Sequence, residues 1–169
     1  MNNSILKASY TTLSKSKTLL SRLSNEQLCD GNIPPYHSSI GSHIRHILDF
    51  YKCIFTGIEN NLVDLTNRER DLNVENDCDC ASGYLEQMLN SLKSSKLEMT
   101  DEIEVIDDLG QGKIRIKYTL GSLLAQANSH TIHHYAIINY ILDRLNIKME
   151  DEDFGLNPTS PKKQQTQLN

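Results

Sequence analysis

Three histidines fall within five positions, His130, His133 and His134, inside an apolar run, and two more, His43 and His46, stand three apart in another. Imidazole is a metal ligand, a proton carrier near neutral pH and a hydrogen-bonding group with two distinct nitrogens. On a helix advancing about 100° per residue, His130 and His134 lie about 40° apart and one turn from each other, so both rings can reach one ion. Against the stripe Leu120, Leu123, Leu124, Ala127, Ile138, Ile141 and Leu142 they fall on or beside the apolar face, whereas His133 falls outside it. A single histidine on such a face is ordinarily a hydrogen-bonded core residue. Two neutral imidazoles side by side leave ring nitrogens that each need a partner, and a divalent ion satisfies several at once. A third ligand is available from the run SHIRHILDFY, where His43 sits nearer the centre of the apolar stripe and His46 nearer its edge, beside Phe50 and Cys53. Both stay open as the third ligand on this ground. His37, next to Tyr36, reads as a surface or capping residue.

A second charged feature is RERD, residues 68–71. In isolation it reads as a solvated loop. Folded over the open end of a helical site, Arg68 and Arg70 would receive an anionic substrate in bidentate fashion, with Asp71 orienting an arginine or water. The four cysteines, Cys29, Cys53, Cys78 and Cys80, lack the second Cys or His pair of a metal knuckle and read as ordinary thiols, Cys53 among them as a small helix residue facing the core. No Ser-His-Asp order, Gly-rich phosphate loop or dinucleotide fingerprint competes with the histidines.

Four segments with helical periodicity must carry these residues. They run from about Ser4 to Leu23, from Ile40 to Ile58 after Pro34, Pro35 and a capping Ser38 or Ser39, from about Cys80 to Leu97, and from Thr119 to Leu145. IEVIDDLGQGKIRIKY alternates around a Gly-containing turn and predicts a β-hairpin. Residues 59–79 show no clear periodicity, which marks a crossover or part of a site. The fold class expected is therefore all-α, a four-helix bundle with a long crossover between the second and third helices and a small hairpin between the third and fourth. Its domain spans residues 1–155, and residues 156–169, rich in Pro, Lys and Gln, form a flexible tail. With 169 residues and 38% hydrophobic content the chain encloses one core. A net charge of -5 argues against nucleic-acid binding, and no apolar run reaches the length of a membrane span, so a cytoplasmic protein acting on a small molecule is expected.

SIGSHIRHILDFY followed, after some eighty residues, by HTIHHYAII resembles the DinB-like family of metal-binding four-helix bundles, which includes YfiT-like proteins. The resemblance covers the second to fourth helices. In that family a serine about seven positions upstream precedes the ligand of the second helix, and Ser39 and His46 stand in that relation here. The family's H-x-x-x-H on the last helix matches His130 and His134. The resemblance thus implies a three-histidine site of His46, His130 and His134, open on one side, with His43 as neighbour or alternative ligand. Many members follow the last ligand with Arg-Gly-Gln, whereas this chain has Tyr135-Ala136-Ile137, closer to a subgroup with HIRH, RERD and HHYAI.

Zinc suits three imidazoles, as do nickel and iron(II). Each ligand needs an acceptor for its second ring nitrogen, and Asp49 and Asn128 are candidates. The activity implied is that of a hydrolase or a thiol S-transferase acting with a low-molecular-weight thiol. The other class is a non-catalytic bundle whose ion or apolar face serves structure or a homodimer. No catalytic residue beyond the ligands is assigned from the sequence.

Overall fold

The computed structural model describes residues 3–161, and helices dominate them. Helix α1 is Ser4–Leu20, started by Asn3, whose side chain accepts from the Ile5 amide. A short α2, Asn25–Cys29, opens with a capping box of Ser24 and Gln27. Helix α3, Ile40–Ile58, is capped by Ser39, which accepts from the Ser42 amide. The strand β1, Leu62–Asp64, and the five-residue α4, Leu72–Asn76, lead to α5, Cys78–Ser94, capped by Asp77. Strands β2, Glu102–Asp108, and β3, Lys113–Thr119, form the hairpin before α6, Leu120–Arg144, which opens with a box of Thr119 and Ser122. Each cap satisfies amides that the first turn of a helix leaves without partners.

Helices α1, α3, α5 and α6 correspond to the four periodic segments. α1 packs on α5 and α6, and α3 packs on the same two. An all-α description is incomplete, because β1 runs parallel to β2, with Val63 opposite Val105, and β2 pairs antiparallel with β3, with Val105 opposite Ile116. The result is a three-stranded sheet in the order β1-β2-β3. The predicted crossover is thereby tied down in two places, by β1 on the sheet and by α4 on α3.

Two glycines of α3 make this possible. A Cβ at Gly41 would lie 2.0 Å from the Glu75 carbonyl oxygen on α4, and one at Gly57 would lie 2.4 Å from the Leu62 carbonyl oxygen on β1. Only a residue without a side chain lets backbone approach backbone so closely.

The core is aliphatic, with Leu13, Leu19, Ile40, Ile54, Leu92, Leu124 and Leu142 among its fully enclosed members. Tyr135 closes one side of it. Its hydroxyl meets Ser16 Oγ at 2.5 Å, and its ring stacks on Phe154 at 4.5 Å between centroids. Residues 156–161 follow as exposed or half-exposed turns, and residues 162–169 of the expected tail lie outside the described residues. No helix among the described residues is long and apolar enough to cross a membrane.

Candidate metal centre

One face of α3 and one face of α6 bring the histidines together. His46 from α3 and His130 and His134 from α6 each offer a ring nitrogen, and these atoms all lie within 4.8 Å of one another. Nε2 of His130 and Nε2 of His134 are 3.2 Å apart. A tetrahedral ion with metal–nitrogen bonds of about 2.0–2.1 Å holds neighbouring ligand nitrogens about 3.3 Å apart, so this pair already stands at ligand spacing. The three side chains are half-buried, and no carboxylate belongs to the group. One ion can touch all three and keep a position open to solvent.

Burial keeps the rings neutral. Desolvation, aided by the neighbouring Arg68 guanidinium and other imidazoles, lowers His46 to about 3. Desolvation and then Arg68 lower His130 to about 4. Desolvation and then the surrounding imidazoles lower His134 to about 2. All three are therefore neutral near pH 7, each keeping one N–H and one lone pair, the state a cation requires.

His43 takes a different place from the ligands. Its Nδ1 is 2.9 Å from Nδ1 of His134, and its Nε2 is 2.8 Å from Ser38 Oγ. If His134 turns the lone pair of Nε2 toward an ion, its Nδ1–H donates to His43 Nδ1. His43 then carries its proton on Nε2 and donates it to Ser38. This chain of donors would fix the tautomers of His134 and His43 and place His43 behind His134 rather than beside the ion. His133 is exposed at the rim, its ring centroid 5.3 Å from that of His134.

The outer groups expected from the sequence lie elsewhere. Asp49 is buried and accepts from Arg45 at 2.6 Å and from the Tyr84 hydroxyl at 3.2 Å. Arg45 in turn donates to Glu75 at 2.5 Å. Asp49 thus belongs to an ion-pair cluster with Arg45 and Tyr84 and bonds to none of the rings. Asn128 is half-buried and bonds to none of the rings, its Oδ1 being buried without a partner.

RERD divides in the same way. Arg68 reaches the histidines, with its Nη1 2.7 Å from Nδ1 and 3.4 Å from Nε2 of His46. An atom on the in-plane lone pair of one ring nitrogen lies well away from the other. The guanidinium therefore rests against the face of the imidazole and leaves its edge open. Arg70 is exposed with a positive φ of 54°, and Asp71 caps α4 by accepting from the Asn73 amide. Neither is brought to the cluster.

Two neighbours were not singled out from the sequence. Phe50, one turn past His46, packs on His130 at 5.1 Å between ring centroids and lies 5.9 Å from Arg68 Cζ. Ser38 holds His43 from the loop before α3. Phe50 follows His46 at the i+4 spacing that a helix uses to stack neighbours, which is a readable signal. The loop position of Ser38 carries none. No family model matches the chain, and no curated protein matches it.

Proposed function

We propose that the protein is a metal-dependent enzyme built on a four-helix bundle of the DinB-like kind, with His46, His130 and His134 as ligands of one divalent cation, and that it catalyses hydrolysis or transfer to a thiol. The observation that carries this reading is the convergence of three neutral, half-exposed imidazoles from α3 and α6 on one point with no carboxylate among them. The ring of contacts among α1, α5, α3 and α6 supports the bundle. Zinc, nickel and iron(II) all suit the donors.

His46, His130 and His134 would hold the ion, whose chemistry when bound would be to lower the pKa of water toward neutrality or to keep a thiol as thiolate, as the two reactions require. The chain's own part is positioning. His43 and Ser38 orient His134, Phe50 walls off His130, and Arg68 adds positive charge beside the open position. A closed structural site would instead fill the fourth position with a protein ligand, and among the described residues no Cys, Asp or Glu joins the group.

The test is elemental analysis of the purified protein, followed by a screen of thiols with electrophiles and of esters and amides. About one equivalent of metal per chain and turnover that chelation abolishes are expected. A variant with His46, His130 and His134 all replaced by Ala that still holds one equivalent would overturn the assignment of ligands.

A further inference from the structure

Arg68 is a cation without a carboxylate. Its Nε donates to the Leu65 carbonyl at 2.9 Å and its Nη1 lies on His46, and among the described residues it forms no ion pair. The acids around it are engaged elsewhere. Asp49 is held by Arg45 and Tyr84, Glu69 by Lys52, and Asp64 by Thr66 and, at 3.9 Å, by Lys113. A half-buried guanidinium held on three sides, with further N–H donors unspent, is a preformed receptor for an oxyanion. Beside it opens a cleft of about 260 Å³ whose wall carries Cys53, Thr56, Leu62 and Asn67 together with Arg68, the paired Lys52 and Glu69, and the engaged acids Asp49 and Asp64, and none of the histidines. Arg68 therefore stands between the histidine cluster and a cleft the size of a small metabolite.

We infer that this cleft binds a small organic carboxylate, with the carboxylate on Arg68 and the body of the molecule along Cys53, Thr56 and Leu62. The inference deepens the proposed function and rests on it for the ion near which Arg68 would hold the carboxylate.

Benzoate titrated into the cobalt(II)-loaded protein, followed by the visible spectrum of the ion and by calorimetry, tests this. Saturable binding is expected, weakened about tenfold to a hundredfold in Arg68→Gln, the range for a lost charge-assisted hydrogen bond, at unchanged cobalt content. Arg68→Lys, which keeps the charge and loses the fork, is expected to fall between. Equal affinity in wild type, Arg68→Gln and Arg68→Lys overturns the inference and leaves the metal centre standing. If cobalt is not taken up, the metal reading falls, and calorimetry of the metal-free protein decides the carboxylate site alone: binding lost in Arg68→Gln upholds it, and no binding removes it. Should Arg68→Gln lose its helical circular dichroism, the Arg68→Lys comparison carries the same decision.

Discussion

Two polar clusters draw on α3, interleaved in its sequence at Arg45, His46 and Asp49 and opposite in character. Arg45, Asp49, Glu75 and Tyr84 form a closed set in which each charge meets its complement, at 2.5 Å and 2.6 Å for the ion pairs. His46, His130, His134 and Arg68 form an open set with four basic side chains and no carboxylate partner within it. The first joins α3 to α4 and α5 and has nothing left to offer a ligand. The second gains nothing for the fold by its arrangement, because facing nitrogens and an unpaired guanidinium are costly to hold near one another without a guest. Polar groups that satisfy each other hold the protein together, and polar groups that do not are kept for something else.

The largest expected difference between the two is in metal content. Replacing His46, His130 and His134 together with Ala removes bound metal altogether by elemental analysis. The unfolding free energy of the metal-free protein changes by less than Asp49→Ala changes it. Asp49→Ala is expected to cost about 3 kcal/mol in urea unfolding, the low end for breaking a buried pair, since Arg45 keeps Glu75. It spares the metal. A loss of metal in Asp49→Ala at full helical content would show that the clusters are not separate.

Acid separates them next. The folded chain holds the three imidazoles well below the ordinary histidine value of 6.5. Protons therefore bind the unfolded chain more readily between those limits. The histidine contribution to stability of the metal-free protein is complete above about pH 6.5 and is lost as pH falls through about 4 toward 2. Chemical denaturation at a series of pH values should show this slope, and the triple alanine variant should lack it.

A smaller effect sharpens the role of His43. His43→Ala should weaken metal binding about tenfold to a hundredfold, as removal of an outer partner of a ligand does. His43→Asn, whose carbonyl oxygen can replace the Nδ1 acceptor, should recover part of it. An unchanged affinity would return His43 to a packing role. Ser38→Ala, one step further out, should move affinity less than either.

The four long helices and the hairpin were legible because their apolar spacing extends over many residues. α2 and α4, five residues each, and β1, three residues, are too short for periodicity to register. The positions of α4 and β1 depend on close approach at Gly41 and Gly57, which no pattern in the neighbouring sequence announces. The i, i+4 pair His130 and His134 was readable for the same reason as the helices. The choice between His43 and His46 was not, since a helical wheel places both near one face and only α6 decides which meets the other pair. Asp49 looked like an outer group because it lies one turn from His46, yet its oxygens accept from Arg45 and Tyr84 rather than from a ring. Arg68 and Arg70 are two residues apart and point into different surroundings because the backbone turns at Arg70.

Tyr135 directly follows His134 and faces the other way, clasped by Ser16 and by the Leu13 and Thr12 carbonyls, and overlaid by Phe154. Gly155 lets the chain lie against α6 there, a Cβ at that position falling 2.8 Å from the Ala136 amide nitrogen. These contacts act as a spline on the shaft of α6, stopping it from rolling about its own axis. A chain ending at Asp153 would keep all its histidines yet lose the stop that aims them, so Phe154 and Gly155 bear on how the rings of α6 face α3 as much as on the fold.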